Sequence, residues 1–192
     1  SSGSHTEGRI VGKMMAAYCM DHKDETAEFI ENPEDLAKEI FMPMETWGKF
    51  NGYTTDPNIN PHYIRPAMLQ QRLQKIMDEY VGGVGTWYMT SKYMLEEGFY
   101  YLGLLKEDSY HMCAENLHEL LRAWENFHRI LAGEAHARHI HFREETRYPG
   151  YYYRGDHLAI DDENWKCFVN STYDKESGEW DIFKREYHQL IP

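Results

Sequence analysis

A chain of 192 residues with 42% hydrophobic and 15% aromatic content can bury one sizeable core or two small ones, which excludes a disordered tail. A formal net charge of −12 opposes nucleic acid and anionic membranes as partners, because phosphate binding needs clustered Lys and Arg. No window approaches the ~18 to 20 consecutive apolar residues that span a bilayer, and no basic n-region precedes an apolar stretch as in a signal peptide. Cys19, Cys113 and Cys167 lie far apart with no C-x-x-C pair, so they read as neither a disulfide framework nor a zinc or iron–sulfur ligand set. The expectation is a soluble intracellular protein whose cluster chemistry, if any, sits on another chain.

The chain opens on a small polar run, Ser1-Ser2-Gly3-Ser4-His5, without an initiator Met. A vector scar and a natural sequence cut mid-motif are both open at this point. Ser4 followed by Glu7 is a capping-box pattern that predicts a helix start, and Ile10, Val11, Met14, Met15, Tyr18 and Cys19 then recur at helical spacing to about Asp21. Asn32-Pro33-Glu34-Asp35 announces a short helix, which Pro43 is expected to end. Trp47 to Pro66 reads as loop and as the subdomain boundary.

Helices are predicted over Pro66 to Tyr80, Ser91 to Glu107 and Ala114 to Phe142, with Gly82-Gly83-x-Gly85 interrupting after the first. Each carries an apolar stripe, and three amphipathic helices with short connections read as an antiparallel bundle. After Tyr148-Pro149-Gly150 the period changes. Lys166 to Tyr173 and Glu179 to Tyr187 are rich in β-forming residues around a turn at Asp174 to Gly178, which predicts a β-hairpin.

The densest chemistry lies between Ala135 and Tyr173. His136 and His139 share a helix face, and a zinc site could use them with a third ligand; His141 points elsewhere. Positive side chains complementing a helix C-terminus account for the cluster more economically. Arg138, Arg143, Arg147 and Arg154 alternate with Glu144, Glu145, Asp156, Asp161, Asp162 and Glu163. Guanidinium forks paired with carboxylates predict a structural corner, with an anion clamp as the functional alternative. Gly82-Gly83-Val84-Gly85 follows a helix and lacks the third glycine of a dinucleotide loop, and no nucleophile elbow occurs. At the other end of the chain, small residues before a helix can leave backbone N–H groups open to a phosphate, a carboxylate or a flavin carbonyl oxygen.

Several segments together resemble the succinate dehydrogenase and fumarate reductase flavoprotein family, and within it the alpha-subunit family of dissimilatory adenylylsulfate (APS) reductases. SSGSHTEGRIVGK resembles a flavin-contacting segment. YTTDPNINPHYIRPAMLQQRLQKIMDEYVGG resembles the entry to the helical domain, LHELLRAWENFHRILAGEAHARHIHFREETRYPGYYYR the long helix and corner, and DDENWKCFVNSTYD the hairpin. The resemblance covers nearly the whole chain and weakens the scar reading. It implies a mainly α piece of a longer subunit: a helix of an FAD-binding domain (1–50), an antiparallel three-helix bundle (51–147), and a C-terminal loop and β-hairpin (148–192).

The implied chemistry is the interconversion of APS with sulfite plus AMP on FAD. [4Fe–4S] clusters would lie on an iron–sulfur beta subunit and not on this chain, the location would be cytoplasmic, and the isolated piece would be inactive. By position, Ser4, His5, Thr6 and Glu7 correspond to residues that meet the flavin ring; no catalytic residue and no metal ligand carries over. Succinate and fumarate members have an arginine near position 1, where this chain has Ser1, which argues against dicarboxylate chemistry. The alternatives are another flavoprotein of that type and a non-catalytic helical module that binds a partner protein. A piece of a larger domain is also expected to expose apolar surface along Ile10, Met14 and Tyr18.

Overall fold

Prolines and short polar side chains set the starts of most of the described helices. The computed structural model describes residues 2–25, 32–48 and 64–188, so Ser1 and most of the loop expected between Trp47 and Pro66 lie outside the described residues. The chain divides into two units, Ser1–Glu39 and Ile40–Pro192.

The first unit holds α1 (Ser2–Asp21) and the opening of α2 (Pro33–Trp47). Because α1 is already helical at Ser2, the capping box expected at Ser4 and Glu7 does not form. A cap needs extended backbone, whereas Ser4 sits within the helical run, and Ser2 and Gly3 are weak helix formers rather than breakers. Ile10, Val11, Met14, Met15 and Tyr18 are all exposed, as expected of an apolar face without a partner. The Asn32 carboxamide oxygen accepts from the Asp35 N–H at 3.4 Å, which starts α2 as predicted.

Pro43 does not end α2, contrary to expectation; the helix continues to Trp47. Proline costs an interior helix about 3 kcal/mol, and the anchor beyond it explains why the helix persists. Trp47 is fully buried, its indole N–H donates to the Ser109 carbonyl at 2.8 Å, and its own carbonyl accepts from the Ala114 N–H at 3.0 Å.

In the second unit α3 (Pro66–Tyr80), α4 (Lys92–Ser109) and α5 (Leu117–Phe142) pack pairwise as the predicted three-helix bundle. Pro66 fits the first turn of α3, where its missing N–H costs nothing. Ser91 Oγ accepts from the Met94 N–H at 3.4 Å to start α4. The long helix begins three residues later than predicted, because Asn116 accepts from the Glu119 N–H at 3.0 Å while Glu119 accepts from the Glu115 N–H at 2.8 Å. That reciprocal pair fixes Ala114 and Glu115 outside the helix.

Leu69 and Leu73 of α3, Leu95, Leu102 and Leu105 of α4, and Ala123, Ile130, Ala137 and Ile140 of α5 form the core. Gly98 and Gly133 let the helices approach: a Cβ at either would stand 3.0 Å from Tyr80 Cβ or Met77 Sδ respectively. The buried Asn126 amide donates to the Pro66 carbonyl at 2.7 Å and so finds its own partner in the core.

Between α3 and α4 lies β1 (Met89–Thr90), paired in parallel with β2 (Tyr153–Arg154), which follows α5; beyond β2 come the short α6 (Asp162–Trp165) and the hairpin β3 (Cys167–Tyr173) and β4 (Trp180–Glu186). The hairpin was predicted, and Asn170 lies opposite Phe183 in its register. The β1–β2 pair and α6 were not. The fold is mainly α with a C-terminal hairpin.

Candidate functional site

The corner after α5 is built on two buried charged residues. Glu145 is 0% exposed and accepts from Arg143 Nη1, from Arg147 Nε at 2.6 Å and Nη2 at 2.9 Å, and from the Asp161 N–H at 3.0 Å. Burial pushes its carboxyl up, but the hydrogen bonds from Arg147, the Asp161 N–H and Arg143 together hold it below its ordinary value. Arg147 reaches on to Asp162 at 2.9 Å, and Arg143 donates to the carbonyls of Trp165 and Cys167, both at 2.9 Å. One buried carboxylate thus ties the helix end to α6 and to the start of the hairpin.

Arg154 is the second anchor, at 1% exposure. Its Nη1 donates to the carbonyls of Ile140, of His141 at 3.1 Å and of Arg143 at 2.8 Å, so a cation caps the negative end of α5. Its Nε and Nη2 grip both oxygens of Asp156 at 2.9 Å, and Asp156 accepts from the Lys92 N–H at the start of α4 at 2.9 Å. These donors hold Asp156 well below the usual carboxylate range, the Arg154 hydrogen bonds contributing most. The pair joins the C-terminus of one bundle helix to the N-terminus of another. Thr146 locks the arrangement: its hydroxyl accepts from the Arg154 N–H at 2.9 Å and donates to the His157 carbonyl at 2.8 Å.

His136 and His139 remain neighbours, and His141 parts from them. His139 Nε2 lies 2.9 Å from Ser171 Oγ on β3, and burial followed by the neighbouring Arg143 holds its pKa below the ordinary value. His141 turns away, 3.5 Å from the Glu96 carboxylate and edge-on to Phe99 at 5.4 Å. Among the described residues no group of three His, Cys, Asp or Glu is placed to hold a metal. Arg138 pairs with Glu134 on its own helix at 2.7 Å. With every arginine of the cluster engaged by a carboxylate, the arrangement works as a structural clamp.

Between the end of α5 and the hairpin lies an open cavity of about 510 Å³. His136, His139, Arg143 and Tyr148 line it from the helix and corner, and Lys166, Phe168 and Tyr187 from the hairpin. Sequence reading passed over the hairpin contributors, whose signal is the alternation of a strand beginning next to the corner.

Ser4, His5, Thr6 and Glu7 lie in the third to sixth positions of α1 and are exposed. Ser4 and Glu7 share a face at i, i+3, whereas His5 and Thr6 project elsewhere, so the four side chains do not converge on one point. Would-be Cβ atoms at Gly3 and Gly8 meet nothing within 4 Å, which leaves the backbone here open to approach.

No protein-family model matches the chain. Its sequence is 53% identical, over all 192 residues, to adenylylsulfate reductase subunit alpha of Megalodesulfovibrio gigas, of which it covers 29%. Its fold matches adenylylsulfate reductase of the hyperthermophilic Archaeoglobus fulgidus at a TM-score of 0.87 and 44% identity, over 100% of this chain and 30% of that one. An adenosine-5-phosphosulfate reductase solved in complex with sulfite, as a covalent adduct, gives the same values. Quinol fumarate reductase of E. coli shares the fold at a TM-score of 0.66 and 15% identity, over 86% of this chain and 27% of that one. In sequence and fold the chain belongs to the family of adenylylsulfate reductase alpha subunits, and it spans about three tenths of the length of the relatives it matches.

Proposed function

We propose that this chain is the C-terminal portion of the FAD-containing subunit of a dissimilatory adenylylsulfate reductase, which interconverts APS with sulfite plus AMP in the cytoplasm. The observation that carries the reading is the 53% identity to an adenylylsulfate reductase alpha subunit across every residue of the chain. The contrast with 15% identity to quinol fumarate reductase favours sulfur over dicarboxylate chemistry. No described helix is long and apolar enough to cross a membrane. Residues 1–50 then belong to an FAD-binding domain, 51–147 to a helical domain and 148–192 to a C-terminal loop and hairpin.

Flavin binding falls to Ser4, His5, Thr6 and Glu7. Their exposed place in the opening turns of α1 and the open space at Gly3 and Gly8 suit the carbonyl edge of a flavin, which accepts N–H donors at a positive helix end. FAD supplies the two-electron chemistry, and the protein supplies orientation and electrostatics. The role of this chain's own residues is to hold that edge. The exposed Ile10, Met14 and Tyr18 face is where the remainder of the subunit packs, and the electrons pass through a beta subunit that carries [4Fe–4S] clusters.

The test is reconstitution of the intact subunit with its iron–sulfur partner, followed by AMP-dependent oxidation of sulfite with an artificial electron acceptor. Turnover that requires both AMP and sulfite is expected. Turnover of succinate or fumarate in its place would overturn the reading.

A further inference from the structure

The cavity between α5 and the hairpin has no part in the proposed flavin chemistry, and its composition is unusual for this chain. Asp and Glu outnumber Lys and Arg by 32 to 20, yet among the described residues no acidic one lines the cavity. Its volume of about 510 Å³ lies within the range of small-molecule sites.

Three permanent cations face it: Arg143, Arg147 and Lys166. The carboxylates in contact with them are the buried Glu145, shared by both arginines, and the exposed Asp162. Arg147 commits Nε and Nη2 to those acids, while its Nη1 carries no hydrogen bond among the described residues. The Lys166 ammonium pairs with no carboxylate among the described residues and stands 6.0 Å over the Tyr187 ring. Positive charge is therefore left over at the lining, with His136 and His139 beside it.

Flat apolar rings share the same walls. Phe168 and Tyr187 lie 5.6 Å apart on the hairpin, and Tyr148 comes from the corner. A bare anion would use only the cations, and a neutral aromatic only the rings. One molecule that carries both a ring to stack and a compact anion to pair uses the whole lining.

We propose that this cavity is a binding site for a mononucleotide, with the base held against the aromatic residues and the phosphate at Arg147 Nη1 and Lys166. The inference rests on charge and shape within this chain and not on the reductase reading, and each can fail without the other.

Isothermal titration calorimetry of the whole 192-residue chain with AMP, adenosine and inorganic phosphate tests it. AMP is expected to bind saturably at one site, about tenfold more tightly than adenosine or phosphate alone. Lys166→Ala, which removes one charge-assisted contact, and Phe168→Ala, which removes a stacking surface, each weaken AMP about tenfold. Both residues are exposed, so both variants fold, whereas Lys75→Ala on the exposed face of α3 leaves affinity unchanged. Absence of saturable AMP binding overturns the proposal, as does AMP binding no tighter than phosphate or indifferent to both cavity variants. Saturable binding of an acidic, aromatic peptide in the absence of AMP binding overturns it in favour of a polypeptide occupant.

Discussion

Replacing Arg154 with methionine tests whether the corner is the clamp its geometry describes. Methionine keeps the apolar stem of the side chain, so the loss is confined to the guanidinium. That group is 1% exposed and serves three carbonyls at the end of α5 and both oxygens of Asp156. Removing one partner of a buried, hydrogen-bonded ion pair costs about 3 to 5 kcal/mol. The lower part of that range is set by Asp156, whose side chain is 28% exposed and retains the Lys92 N–H, so its charge is not stranded. The upper part is set by the carbonyls of Ile140, His141 and Arg143, each of which loses a donor where little water reaches. A value of about 4 kcal/mol balances the two. With an m-value of roughly 2.5 kcal/mol/M, the urea midpoint followed by tryptophan fluorescence falls by roughly 1.5 M. Trp165, buried beside Arg143 in the same corner, reports the change directly. A loss below about 1 kcal/mol would refute the reasoning, because it would mean that water satisfies the helix end as well as the arginine does.

Glu145→Gln removes the charge that two arginines share and is expected to cost about 3 kcal/mol, read from the same urea titration at pH 7. Because the folded-state pKa of Glu145 is depressed, its contribution is fully present above the ordinary carboxylate range and is lost as pH falls through the folded value. The stability gap between wild type and variant should therefore narrow as pH falls from the ordinary carboxylate range through the folded-state value, and a gap that stays constant through that acid titration would contradict the assignment. Hydrogen exchange should be fast along α1, whose Ile10, Met14 and Tyr18 are exposed, and slow in the bundle helices with their buried leucines. Equal protection in both would show that α1 is anchored by something other than apolar burial.

Much of the bundle was legible because its signals are local. Proline at the first turn of α3 and the 3.6-residue stripe along α3, α4 and α5 act within a few residues, and the observed boundaries follow them. The misses have distant causes. Pro43 reads as a stop by every local rule, yet Trp47 four residues later is held by Ser109 and Ala114, more than sixty positions away. The β1–β2 pair joins two-residue strands sixty-four positions apart, too short for any periodicity to announce. The corner was half visible. The alternation of arginines with acids revealed the charges, but three of the bonds from Arg154 go to backbone carbonyls, which every residue carries and no sequence pattern marks.

The same distinction bears on the residues assigned to the flavin. Ser4, His5, Thr6 and Glu7 are consecutive on a helix, where side chains advance by about 100° per residue and so fan out over most of a circle. A planar cofactor edge meets at most the Ser4 and Glu7 side chains together. In a helix already running at Ser2, the N–H of Ser4 falls in the first turn, which has no intrahelical acceptor, whereas those of His5, Thr6 and Glu7 are directed one turn back. The four positions thus divide by mechanism: Ser4 can act through the backbone, which side-chain replacement leaves in place, while His5, Thr6 and Glu7 can act only through side chains. The proposed flavin contact at this helix start thus rests on the backbone at Ser4 and on the side chains of the other three, whereas the crowded corner, rich in titratable groups, has its charges engaged within the fold.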